Sequence, residues 1–315
     1  MTVTFSATEI KRQQGVILLA FFAILFIAGA GVLISLLDGN SVTQRRSNNT
    51  SIAMREAKES LIAYATLYAK YYGGAISGPG YLPCPDSNGD GIENAPCVAN
   101  SLGRLPQSIT LPNGNFFPLS NYNASIDEQF WYGVADNFRR SPLGVLNSST
   151  ISGTTLDGQS GIVAVLIAPG PPNSLQSRPS NTSNRYLEDS NTTAPSFVSN
   201  TTVNPELFND RVLTITVDEI MGPITRQVAD LLKTGLDAYR VTNLAYPANV
   251  DFTPPNIVVT EAWFNTNAWF ANANYVQVSS DEAILTFTGC PNISYTLLFN
   301  PPNTPDDLRR IGSRC

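Results

Sequence analysis

The stretch Asp86-Ser87-Asn88-Gly89-Asp90-Gly91 is the part of the chain whose residue types and spacing best suit metal chemistry. Asp86, Asn88 and Asp90 stand at positions 1, 3 and 5 of a calcium loop, and Gly91 stands at position 6, where a sharp turn is needed. Alternating oxygen side chains can converge on one hard cation. Position 12, where a bidentate glutamate belongs, is Cys97, so Glu93, Asn94 or backbone carbonyls would have to complete the set. The expected ligands are therefore Asp86, Asn88, Asp90, Glu93 and Asn94, with calcium as the one cofactor. The same residues also make a good turn with no metal.

The chain has no histidine. That removes Ser-His-Asp and Cys-His catalysis, His-ligated zinc and imidazole acid–base chemistry together. No paired acids and no nucleophile-and-base constellation stand out, so no catalytic residue is assigned and an enzyme is not expected. Gly158-Gln159-Ser160-Gly161 lacks the spacing of a nucleophile elbow. The four cysteines, Cys84, Cys97, Cys290 and Cys315, allow three connectivities. Sequential pairing is the simplest, because each pair closes a short loop. Zinc is the competing reading, but no C-x-x-C spacing occurs. Disulfides would place these loops in an oxidising compartment.

The elements that must position these residues follow from periodicity. Apolar Ala53, Ala57, Leu61, Tyr64, Ala65, Tyr68 and Tyr72 recur at helical spacing, with Arg55, Glu56, Lys58 and Glu59 opposite and Gly73-Gly74 as the stop. Gly161 to Ala168 reads as a buried strand. Val212 to Val217 alternates as a strand, and Asp218 is expected to cap a helix with the stripe Ile224, Val228, Leu231, Leu232, Leu236 and Tyr239. Asn256–Trp263, Asn274–Val278, Ala283–Thr288 and Ser294–Phe299 are strand candidates for an antiparallel C-terminal sheet. Pro171 to Pro205 is rich in Ser, Thr, Asn and Pro and reads as a long exposed loop or flexible insertion. Its Asn181, Asn191 and Asn200 triplets have the form of glycosylation acceptors, which composition alone also produces. Trp263-Phe264 and Trp269-Phe270 suit packing, or an aromatic platform for carbohydrate. With 14% charged residues and a net charge of −6, no basic stripe exists to hold nucleic acid.

From Val16 to Leu37 the chain carries no charge. As a helix it would rise roughly 33 Å, enough to cross a membrane. A plain anchor and a secretory signal, with Ala28-Gly29-Ala30 as the cut, are two readings of this run. Lys11 and Arg12 before it are balanced by Arg45 and Arg46 after it, so cysteine usage decides the orientation.

Lys11-Arg12-Gln13-Gln14-Gly15 followed by this apolar run resembles the class III leader of type IV pilins and pseudopilins. The resemblance implies cleavage by a prepilin peptidase between Gly15 and Val16, methylation of Val16, and assembly with other pilin or pseudopilin subunits. Further blocks look like a recurring set in pilin-like proteins: Ala57 to Ala65, Leu82-Pro83-Cys84-Pro85-Asp86, Gly103-Arg104-Leu105-Pro106, Phe130 to Val134, Val163 to Gly170 and Phe208 to Thr216. Ala20 stands where most of the family carries a glutamate that compensates a neighbour's terminal amine. That departure, shared by the K-type minor pseudopilin, implies a tip or initiating position. The expected fold class is therefore α+β: a long N-terminal membrane-spanning helix leading into a pilin-like globular domain with an antiparallel sheet. The expected segments are a leader at 1–15, a transmembrane helix at 16–37, an amphipathic extension at 38–72 and an extracytoplasmic domain at 73–315, with the polar loop at 171–205. The expected location is the bacterial inner membrane, single pass with the domain in the periplasm, then the cell surface or a filament of a type IV pilus or type II secretion system. The alternative is a membrane-tethered or filament-tip adhesin whose polar loops contact a surface.

Overall fold

The computed structural model describes residues 45–74, 77–120, 129–202, 205–299 and 307–315. The chain divides into two units, Met1–Ile52 and Ala53–Cys315. Of the first, the described residues 45–52 are helical.

The second unit opens on helix α1 (53–72). Ala53, Met54, Ala57, Leu61, Tyr64, Ala65 and Tyr68 are buried on one side of it, the stripe that three- and four-residue spacing demands. Gly73 and Gly74 end it, both in the left-handed region at φ 59° and 92°, and the Gly73 N–H reaches back to the Ala69 carbonyl at 3.1 Å. Its buried side meets Phe117, Tyr81 and the second long helix, where Gln227 Nε2 donates to the Thr66 carbonyl at 3.3 Å.

Strands β1 (Leu102–Arg104), β2 (Ser108–Thr110), β3 (Phe116–Pro118), β4 (Trp131–Val134), β5 (Thr154–Leu156), β6 (Gln159–Ala168), β7 (Ser196–Phe197) and β8 (Arg211–Thr216) come next. β2 and β3 form a separate hairpin. The other six strands make one sheet in the order β1-β4-β6-β5-β7, with β8 antiparallel to β6. β6 holds this sheet together. Its run of Val, Ile and Leu is buried on both faces, which is why it reads as continuously apolar and not as alternating. Asp157 and Gly158, both at positive φ (50° and 76°), form the two-residue turn between β5 and β6.

Helix α2 (Val217–Asn243) follows β8 without a loop. Thr216, not the expected Asp218, is its N-cap: Thr216 Oγ1 accepts from the Glu219 N–H at 3.4 Å while Glu219 Oε2 accepts from the Thr216 N–H at 2.9 Å. Ile220, Met221, Ile224, Val228, Leu232 and Leu236 are buried along one side. Two short helices, α3 (Ala262–Thr266) and α4 (Trp269–Asn272), lead to β9 (Ala273–Gln277), β10 (Glu282–Phe287), β11 (Cys290–Leu298) and β12 (Asp307–Ile311). These four strands form an antiparallel sheet in sequence order. The expected strand at Asn256–Trp263 is replaced by turns and α3. Trp263 and its neighbour Phe264 are both buried, as are Trp269, Phe287 and Tyr295, so a helical turn inserts both rings where a one-sided strand would expose one. The fourth strand is instead β12. Helix α2 packs on β11 and β12.

Two expectations are corrected. Among the described residues no helix is long and apolar enough to cross a membrane. α2 has the length, at 27 residues, but carries Asp218, Glu219, Arg226, Asp230, Lys233, Asp237 and Arg240. The described architecture is therefore an α+β body without a membrane-spanning helix, and the single-pass inner-membrane placement is withdrawn with it. The leader, its junction Gly15–Val16, Ala20 and the apolar run 16–37 lie outside the described residues.

Candidate functional site

The Asp86–Asn94 loop is closed by its own backbone. Asp86 is almost fully buried, and its carboxylate accepts three amide N–H groups: Asn88 at 3.2 Å, Gly89 at 2.6 Å and Gly91 at 2.7 Å. Asn88 Oδ1 accepts from the Asp90 N–H at 3.1 Å, and Asp90 Oδ1 from the Ile92 N–H at 2.8 Å. Asn94 Oδ1 takes the Ser87 N–H at 2.6 Å. Glu93 turns away to Arg140, whose Nε donates to Oε2 at 2.7 Å, and the Cys84 N–H donates to the same oxygen at 3.0 Å. The five expected ligands share one loop, with Glu93 committed to Arg140 and the Cys84 N–H. Among the described residues no three acids, cysteines or histidines come together to hold a metal ion. As the loop stands, Asp86, Asn88, Asp90 and Asn94 spend side-chain oxygens on backbone amides, the pattern of side-chain-to-backbone turns.

The cysteines join as Cys84–Cys97 and Cys290–Cys315. The first bridge anchors this loop. The second fastens the C-terminal residue to the start of β11.

The insertion between β6 and β8 supplies a site that its composition hides. It is not a loose loop. Tyr186, Leu187 and Phe197 are buried against Trp131, Ile162, Val165 and Ile167, so the insertion covers the second face of the β6 sheet. Two arginines brace the Tyr186 ring: Arg104 at 4.8 Å and Arg178 at 4.6 Å from its centroid, with Arg104 also 5.3 Å from the Trp131 ring. Arg104 Nη2 donates to the Ser180 carbonyl at 2.6 Å. Arg178 donates to the carbonyls of Gly170 at 2.7 Å, Arg185 at 3.1 Å and Tyr186 at 3.0 Å. One guanidinium thereby satisfies carbonyls that a structure without helix or sheet would leave unpaired.

Beside this brace lie two buried acids. Glu188 Oε1 accepts from Gln176 Nε2 at 2.8 Å, and Asp210 Oδ2 accepts from Asn191 Nδ2 at 3.0 Å. Burial first, and then the Glu188 charge, push the Asp210 carboxyl up to about 8. Glu188, with Asn173, Gln176, Asp189, Leu207 and Phe208, lines an open cavity of about 300 Å³. Its lining is mostly apolar, with amide and acid groups set among Leu187, Leu207 and Phe208.

None of these residues was marked by spacing. Glu188 and Asp210 are 22 residues apart, and Arg104 and Arg178 are further apart still. The signals available were the presence of Tyr186, Leu187 and Phe197 in an otherwise polar stretch, and the blocks Gly103–Pro106 and Phe208–Thr216, which contain Arg104 and Asp210. Asn191, in one of the glycosylation-like triplets, is fully buried, with Oδ1 accepting from the Val198 N–H at 2.9 Å, so it cannot carry a glycan in the folded chain. Asn181 donates to the Asn88 carbonyl at 2.9 Å and ties the insertion to the Asp86 loop. Trp263, Phe264 and Trp269 are core residues and offer no aromatic platform. No protein-family model, curated protein or solved structure matches the chain.

Proposed function

We propose that the chain is a structural subunit of the minor-pilin or pseudopilin kind, working by assembly with other such subunits and not by catalysis. The observation that carries this reading is the Lys11–Val16 junction in the same chain as a half-buried helix entering an α+β body closed at its C-terminus by a disulfide. The exposed side of α1, with Arg55, Glu56 and Glu59, is the side left for a neighbouring subunit. Ala20 favours a tip or few-copy position, because a shaft subunit needs a carboxylate there to meet a neighbour's amine in apolar surroundings. The pilin resemblance also brings the prepilin peptidase as a processing partner. Mass analysis of protein from cells with an active peptidase tests the reading: a mature chain beginning at Val16 is expected, with low copy number in sheared filaments. Full-length protein alone, or filaments built mainly of this subunit, would overturn it.

A second reading, of a binding module at a filament tip, draws on the insertion, described at 171–202 and 205–210, and its cavity beside Glu188. A glycan-array screen of the full chain, with Phe208→Ala as the comparison, tests it. Binding that the variant abolishes supports it, and no binding removes it.

A further inference from the structure

Glu188 and Asp210 are the two acids that the insertion buries, with 9% and 6% of their surfaces exposed. Glu188 leads into the turn Asp189–Thr192, and Asp210 immediately precedes β8, so the pair spans the junction of insertion and sheet. Their acceptor atoms can be followed one by one. Glu188 Oε1 receives Gln176 Nε2 at 2.8 Å, and Oε2 receives the N–H groups of Asn209 at 3.2 Å and Asp210 at 3.1 Å. Asp210 Oδ2 receives the Glu188 N–H and Asn191 Nδ2, both at 3.0 Å. The fourth oxygen, Asp210 Oδ1, is buried and meets no donor, while each carboxylate accepts the other residue's backbone N–H, which brings the two acids together. A buried carboxylate oxygen without a donor bears its full desolvation cost, and two adjacent carboxylates resist joint ionisation. One proton on Asp210 removes both penalties, since the orphan acceptor becomes a donor to Glu188.

We propose that Asp210 and Glu188 share a proton that latches the insertion onto β8, so that the cover of the second sheet face tightens in mild acid and loosens as the solution turns alkaline. On release the proton leaves Asp210 for water, and two facing carboxylates remain. Other charges stand around the pair. Arg178 reaches it through Gln176, whose Oε1 accepts from Arg178 Nη2 at 2.8 Å, and Arg211 follows Asp210 with an exposed side chain. Asp189 is at the surface, held below the usual carboxylate range by its bond from Thr201. The carboxyl of Asp210 is raised from its ordinary 3.8 to about 8, so folding takes up a proton between those values. The latch is complete at acid pH and is lost as pH rises through about 8.

Hydrogen exchange of the full chain, corrected for intrinsic rates, tests this between about pH 5 and about pH 8, where the linkage places the loss. Peptides from the insertion are read against peptides from β10 and β11 as an internal reference. Wild-type protection of the insertion should fall about tenfold or more relative to the reference, because below the folded value the closed form keeps a proton that the open form has released, which costs about tenfold for each pH step. Asp210→Asn, whose amide donates to Glu188 at any pH, should keep the protection high and flat, and Asp210→Ala should lack it throughout. Should Asp210→Asn fail to fold, the infrared band of a protonated carboxyl in the wild-type chain reads the same proton, and it should be present at about pH 6 and gone above the folded value. Wild-type insertion and reference peptides running in parallel across the range, the full decline persisting in Asp210→Asn, or no protonated-carboxyl band in mild acid, would overturn the proposal.

Discussion

The two faces of the β6 sheet are covered in different ways. One face rests on the large apolar core that α1, α2 and the C-terminal sheet share, through Tyr132, Val163, Leu166 and Ile215. The other holds a small cluster, Trp131, Val165 and Ile167 against Tyr186 and Phe197, covered by a segment whose backbone is satisfied by arginine and asparagine side chains. The first core is non-directional and stabilises by area. The second depends on directed bonds, so its stability should answer to charge and pH where the first does not. The contrast shows how a polar, loop-like sequence can still form an ordered layer: few apolar residues suffice when the backbone groups find side-chain partners.

The largest expected effects compare the faces directly. Leu166→Ala, at a fully buried position in the main core, should cost about 2–5 kcal/mol and lower the melting temperature of the whole body. Tyr186→Ala removes an equally buried ring from between two guanidiniums and should cost about 3–5 kcal/mol locally. Limited proteolysis should then cut within 171–202 while circular dichroism shows the remainder folded. Simultaneous loss of both regions would mean that the two faces form one cooperative unit.

Next come the bridges. Opening Cys84–Cys97 or Cys290–Cys315 by paired serine substitution should each cost about 3 kcal/mol in the chain-entropy picture, read by chemical denaturation. The first should also loosen the insertion, because Asn181 is bonded to the Asp86 loop, and the second should leave it unchanged.

A smaller effect concerns that loop. Asp86→Ala strips three amides of their acceptor and should cost about 1–3 kcal/mol. Adding millimolar calcium to the wild-type chain should leave the melting temperature unchanged. A rise that Asp86→Ala abolishes would restore the metal reading.

The smallest lies at the start of α2. Thr216→Ala should cost about 1 kcal/mol by removing the cap. Burial alone would raise the Glu219 carboxyl, but Lys58, 2.5 Å away, and the Thr216 N–H outweigh it and hold it below the usual range. The folded value is depressed, so this contribution is present at neutral pH and lost as the solution is acidified through the folded value. A melting series in acid should show the wild-type advantage over Glu219→Gln shrinking, opposite in sign to the insertion's response.

The helices were legible from local pattern. The stripe of α1 and most of the stripe of α2 emerge as written because three- and four-residue spacing leaves one face to bury. β6 and three of the four C-terminal strands were legible for the same reason, the period now being two or the run continuously apolar. Asn256–Trp263 misled because an aromatic-rich stretch between turn residues suits a strand as well as a short buried helix. The Asp86 loop was seen as a site because its spacing matches a metal loop, yet spacing does not say whether oxygens will face a cation or their own amides.

The sequence by itself determined the half-buried helices, the apolar central strand, the absence of histidine chemistry and the supply of cysteines for two bridges, all properties of residue type and short-range order. Only the tertiary structure decided that the polar insertion folds, that Arg104 and Arg178 close on Tyr186, and that Glu188 and Asp210 meet. Those contacts join residues separated by up to 82 positions, from Arg104 to Tyr186. No local periodicity records such pairs. They form because the second face of the sheet must be covered, and the groups that cover it must find partners once water is gone.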